Sequence, residues 1–172
     1  NLIWRLLVIQ FCGKMLAGVY FASFALGSLP GTLFNNTFGP TIIKRDIKAN
    51  RNLYFIICVF IIILIILFFL SITNRDQIFV NFSYTQIFGT FLSLIGSYFM
   101  VRGLYARQYL IQKTSHQSFV FKTDVFYSLL VITIVPILYL LGGDKLIIVS
   151  FLISSITSYV VYITTYNNII KK

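Results

Sequence analysis

The sequence predicts an all-α fold: a polytopic transmembrane helix bundle with one partial span and five full ones. Three observations predict it. Of the 172 residues, 58% are hydrophobic and only 10% are charged, where soluble domains carry about 25% charged residues. Leu53 to Leu70 is a run of eighteen residues with no charged, amide, Ser or Thr side chain, and such a run reads as a membrane-spanning helix. The four acidic residues, Asp46, Asp76, Asp124 and Asp144, with no Glu beside them, are too few to build a water-facing surface. A soluble enzyme, a disulfide scaffold and a disordered tail are excluded together.

The elements follow in order. Leu2 to Cys12 is apolar apart from Arg5 and Gln10, and reads as the end of a helix, punctuated by Gly13 and Lys14. Met15 to about Phe34 is the first complete span, with Pro30 and Gly31 expected to bend or loosen it. Leu53 to Ile72, Tyr84 to Val101, Val125 to Leu141 and Leu146 to about Ile163 follow, with Pro136 a second expected kink. Gly142-Gly143-Asp144-Lys145 reads as a tight turn between antiparallel spans. After the third span, Val101, Leu104, Tyr105 and Tyr109 keep helical spacing. That helix is therefore expected to run on, with tyrosines at the interface and arginines in water. No linker or second domain divides residues 1–172, which read as a single helical lobe. The opening at Asn1, already inside an apolar segment, leads to the expectation of a fragment that lacks an N-terminal lobe.

Net charge is +10, but the basic residues form no single stripe for nucleic acid. Membrane topology accounts for them. With Lys44, Arg45, Lys48 and Arg51 in the cytoplasm, alternation adds Arg102, Arg107, Lys113, Lys122, Lys171 and Lys172. Ten cations then lie inside against three outside, Lys14, Arg75 and Lys145, as the positive-inside rule requires.

Small residues recur at every fourth position: Ser23, Gly27 and Gly31; Gly89, Ser93 and Ser97; Ser150, Ser154 and Ser158. This spacing lets helices approach closely in lipid, or it lines a water-filled cavity; sequence leaves both open. Cys12 and Cys58 lie in apolar segments and read as small hydrophobes. His116 is the sole histidine, paired carboxylates are absent, and no nucleophile elbow or phosphate loop occurs. No catalytic residue, metal or cofactor is expected, and the chain reads as non-enzymatic. The polar residues at membrane depth are the candidate substrate-pathway positions: Arg5, Lys14 and Arg102. An intramembrane cation usually faces a cavity or a partner, and snorkelling to the interface is the alternative. Asp124, opening the fourth span after Lys122, reads as an acid favoured by a helix N-terminus.

Several segments resemble a known family. Gly13-Lys14-Met15-Leu16-Ala17-Gly18-Val19-Tyr20-Phe21-Ala22, then Leu29-Pro30-Gly31-Thr32-Leu33, Gly39-Pro40 and the basic Lys44-Arg45, are similar to consecutive segments of the Wzx-type polysaccharide flippases. These belong to the multidrug/oligosaccharidyl-lipid/polysaccharide exporter superfamily. Arg102-Gly103-Leu104-Tyr105-Ala106-Arg107-Gln108 and Val135-Pro136-Ile137-Leu138 through Gly142-Gly143 resemble later segments. The resemblance implies the C-terminal lobe of a two-lobed transporter in the bacterial inner membrane. Its substrate would be an undecaprenyl-pyrophosphate-linked oligosaccharide, and membrane lipid its other partner. Arg5 and Lys14 would meet the anionic pyrophosphate. One departure stands out: family members often carry an acid beside the charge in the segment matching Leu2 to Leu7, and here Trp4 holds that place. Alternatives are a drug or lipid transporter of the same superfamily, a membrane enzyme of envelope polysaccharide synthesis, and a purely structural membrane subunit.

Overall fold

The computed structural model describes residues 2–42, 47–73, 83–113 and 117–170. The described residues form an all-α bundle of five long helices: α1 (Leu2–Ile42), α2 (Ile47–Thr73), α3 (Tyr84–Lys113), α4 (Gln117–Gly142) and α5 (Ser150–Ile170), with a 3₁₀ segment, η1 (Asp144–Val149), before α5. Five stretches are long and apolar enough to cross a membrane: Ile3–Phe34, Tyr54–Ile72, Tyr84–Gln108, Val120–Gly142 and Asp144–Asn168. The molecule is a multi-pass helical membrane protein. The loop cations Lys44, Arg45 and Arg75, with His116, Lys171 and Lys172, lie outside the described residues.

α1 is two arms joined at Gly13, whose φ of 74° and ψ of 164° are not helical. That region of dihedral space is essentially open to glycine alone. The chain reverses there. Trp4 packs on Phe21 and Phe24, with ring centroids 6.0 and 5.6 Å apart, although twenty residues of straight helix would separate Trp4 from Phe24 by about 30 Å. The short first arm therefore folds back along the second. The fold-back is tied to η1, because the Tyr20 hydroxyl donates to the Asp144 carbonyl at 3.1 Å. Val8, Ala17, Tyr20, Phe24, Val135, Leu138, Ile147 and Ile148 form the main core at this end of the bundle.

Both expected proline kinks lie within helix. α1 runs on through Pro30, with its interruption at Gly13 instead, and α4 runs on through Pro136. Membrane helices tolerate proline because local adjustment and neighbouring groups satisfy the freed carbonyl. The Gly-Gly turn forms as the sequence suggests. Gly143, at φ 68°, donates its N–H to Tyr139 O at 2.8 Å and its carbonyl accepts from Leu146 N at 3.3 Å. At the start of α3, Ser83 and Gln86 make a capping box. The Ser83 N–H donates to Gln86 Oε1 at 2.9 Å, and the Gln86 N–H to Ser83 Oγ at 3.2 Å.

α3 is the central helix. A Cβ on Gly27 would collide with that of Ser93 and come within 2.5 Å of the Thr90 carbonyl oxygen. One on Gly89 would lie 2.9 Å from Ser23 Cβ, and one on Gly31 3.3 Å from Ser97 Cβ. The two small-residue stripes therefore face each other in the same order, so the second arm of α1 and α3 run parallel. On its other side α3 meets α5, where a Cβ on Gly96 would lie 3.2 Å from Ser155 Oγ and one on Gly103 2.8 Å from Ser158 Oγ. Stripe hydroxyls are satisfied within their own helices, as Ser23 donates to Val19 O at 2.9 Å and Ser93 to Gly89 O at 2.7 Å. For these two stripes, close packing is what the spacing serves. α2 and α4 lie outside, with Phe55, Ile66, Leu67, Phe126 and Leu129 all more than half exposed, which suits contact with hydrocarbon.

Candidate functional site

The chemistry in the bundle gathers where α3, α4 and α5 meet, at the end opposite Gly13 and Gly143. α3 continues to Lys113, as its spacing predicts, but its arginines are not left to water. Arg107 donates from Nε to Asp124 Oδ1 at 2.9 Å and from a terminal nitrogen to Oδ2 at 2.6 Å. Tyr162, from α5, donates its hydroxyl to Asp124 Oδ1 at 2.5 Å. One carboxylate thus ties three helices together. The fork-to-fork geometry suits a guanidinium and a carboxylate, and pairing is how charges are accommodated at membrane depth.

The helix-dipole reading of Asp124 is corrected here. α4 begins at Gln117, and its first turn holds no acid, so Asp124 lies two turns in and is held by its cation instead.

Beside this knot is a cleft of about 480 Å³, lined by Arg107, Asp124, Tyr127, Ser154, Ser158 and Tyr162 among others. The Tyr127 hydroxyl reaches the Ser154 carbonyl at 3.5 Å, and the Tyr127 ring lies 5.9 Å from that of Tyr162. The third small-residue stripe divides: Ser154 and Ser158 line this cleft, while Ser150 is fully buried with its hydroxyl unpartnered. The cleft is mixed, with Met100, Leu104 and Phe151 on its apolar part, and its ion pair is internally balanced. It offers apolar and aromatic surface with hydroxyls among it rather than a free charge. Among the described residues no three His, Cys, Asp or Glu side chains gather closely enough to hold a metal ion.

The three substrate-pathway residues are not brought together. Arg5 is exposed on the first arm of α1, and Lys14 is exposed just past the Gly13 reversal. Arg102 is at the other end, with its guanidinium carbon 4.8 Å from the Tyr159 ring centre and 5.7 Å from that of Tyr98. Its terminal nitrogen donates to the Tyr98 hydroxyl at 3.4 Å. Arg102 is thus held by aromatic faces, rather than reaching into water.

Sequence reasoning passed over Arg107, Asp124 and Tyr162 as a unit. The available signal was Asp124, the one acid within the four spans read from Met15 to Leu141 or at their ends.

No family model matches the chain, and neither a curated protein nor a solved structure matches it.

Proposed function

We propose that this chain is one helical lobe of a transporter that carries a lipid-linked oligosaccharide across the bacterial inner membrane. It works by alternating access against a second lobe, with its basic loops and C-terminus in the cytoplasm. The observation that carries this reading is the cleft between α3, α4 and α5, whose lining runs from Arg107 and Asp124 near the ends of their spans inward to Met100 and Ser154. A bundle held by packing alone does not need an ion pair and tyrosine hydroxyls gathered at the wall of a cleft, because burying such groups costs free energy even when they are paired. A surface of hydroxyls and aromatic rings without a free charge suits sugars, which hydrogen-bond and stack on rings. The short segments that resemble those of the polysaccharide flippases support the same substrate. The ten-to-three cation count supports the orientation. Arg5 and Lys14 are exposed and serve as the cations that meet the pyrophosphate. Rocking of two repeat-built halves about a midplane site is the common mechanism of such transporters, and it needs no covalent step.

Deleting the gene in its own bacterium tests this. Surface polysaccharide is expected to fall while lipid-linked repeat units accumulate on the cytoplasmic leaflet. Unchanged surface polysaccharide would refute the proposal. So would loss of polysaccharide without accumulated lipid-linked units, which points to an enzyme of synthesis.

A further inference from the structure

The α4–α5 pair has a second cleft on its other flank, about 400 Å³ in volume and lined by Lys122, Thr123, Phe126, Val160, Val161, Thr164 and Thr165. Phe126 and Val160 are 56% and 49% exposed, so this cleft opens away from the bundle. Thr164 and Thr165 donate their hydroxyls to Val160 O at 2.6 Å and Val161 O at 2.8 Å, which uses up their hydrogens. The Lys122 ammonium is the cationic donor of the cleft.

Among the described residues no acid pairs with Lys122. Asp124, two residues on, has both oxygens engaged by Arg107 and Tyr162. The ion pair seen among the described residues joins Arg107 to Asp124 and leaves Lys122 out. Lys122 is also two residues inside the span that starts at Val120, and Thr164 and Thr165 are close to the end of the span that finishes at Asn168. The cation therefore lies where headgroups meet hydrocarbon, and the apolar floor of Phe126, Val160 and Val161 lies deeper. Basic pockets between membrane helices at this depth attract anionic headgroups.

We propose that this cleft is a binding site for an anionic phospholipid, with the phosphate on the Lys122 ammonium and an acyl chain along Phe126, Val160 and Val161. Charge complementarity selects the lipid class: a zwitterionic headgroup brings its own cation and gains little from Lys122. The apolar floor selects a lipid over free phosphate, because phosphate alone leaves that floor uncovered.

The full chain, purified in mild detergent, is titrated with phosphatidylglycerol, phosphatidylcholine or inorganic phosphate while its melting temperature is followed. Phosphatidylglycerol is expected to raise the melting temperature, and the other two to leave it unchanged. Lys122→Gln should weaken the apparent affinity for phosphatidylglycerol about fivefold, as loss of one basic contact predicts, and Lys122→Arg should retain it. Val160→Trp, which fills the floor and keeps the charge, should weaken it too. Equal stabilisation by phosphatidylcholine or by inorganic phosphate would overturn the proposal, as would an unaltered response in the folded Lys122→Gln protein. Lys122 is exposed, so that variant decides the matter even where the tryptophan variant does not fold.

Discussion

Gly27 of α1 packs so closely on Ser93 of α3 that a methyl group on the glycine would strike the serine side chain and the Thr90 carbonyl behind it. Backbone cannot yield as a side chain tip does, so the two helices would have to separate. Gly27→Ala should cost about 1–3 kcal/mol, the usual penalty for overpacking, and Gly27→Leu should abolish folding. Gly18 is the control, since a Cβ there meets nothing within 4 Å. Thermal melting in detergent checks this, with Gly18→Ala expected near wild type. Equal melting temperatures for Gly27→Leu and wild type would contradict the packing.

The Arg107–Asp124–Tyr162 knot makes a coupled prediction. Asp124→Ala leaves the Arg107 guanidinium without its partner near the end of its span. The loss should be about 2–3 kcal/mol, below the roughly 3–5 kcal/mol of a fully buried pair, because the two side chains stay 33% and 29% exposed. Tyr162→Phe removes one hydrogen bond to a charged acceptor and should cost about 1.5 kcal/mol. The Arg107→Ala, Asp124→Ala double variant should lose less than the sum of its single variants, since each residue's charge is harmful chiefly when left alone. Strict additivity in that cycle would show that the pair is not coupled.

These two cases show how far the sequence was legible. The spans were readable because hydrophobic runs near twenty residues have few other uses, and the Gly27 and Ser93 stripes because period-four small residues serve packing. The knot was not readable. Arg107 and Asp124 are seventeen positions apart across a loop, and each had a sufficient explanation alone: a cytoplasmic cation and a helix-start acid. Only the three-dimensional crossing of α3, α4 and α5 joins them. The Gly13 reversal was half legible, since a glycine marks a break but not its direction.

Trp4 is the sole tryptophan, so its fluorescence reports on the reversal. Against Phe21 and Phe24 it should be shielded from brominated lipid. Gly13→Val forces a branched side chain into a glycine-only conformation, at about 1–3 kcal/mol, although the Cβ itself meets nothing within 4 Å. The first arm should then loosen, and quenching by brominated lipid should rise. Unchanged quenching in that variant would mean that the arm does not depend on Gly13.

The topology is tested at the two ends of the bundle. Met15 is 90% exposed beside the Gly13 reversal, and Asn168 is exposed near the end of α5. In a background lacking Cys12 and Cys58, a cysteine at Met15 should react with an impermeant reagent added to intact cells. One at Asn168 should react only after the membrane is opened. The reverse pattern would place the ten cations outside and refute the positive-inside assignment.

The last prediction separates the three cations by what holds them. Arg102 sits over Tyr98 and Tyr159, so Arg102→Ala removes packing as well as charge and should lower stability by about 1–2 kcal/mol. Arg5 and Lys14 are exposed, so Arg5→Ala and Lys14→Ala should leave membrane protein levels and melting temperature near wild type. On the proposed function, their effect should appear in transport. A cation in a partly dehydrated pathway attracts pyrophosphate more strongly than one in water, so each change should reduce surface polysaccharide in a complementation assay. Arg5→Lys should keep part of the activity, because the charge remains while the two-pronged guanidinium is lost. Snorkelling predicts little loss in any of these. Full export by the Arg5→Ala, Lys14→Ala double variant would remove both residues from the proposed pathway and leave the cleft at Arg107 and Asp124 as the candidate contact.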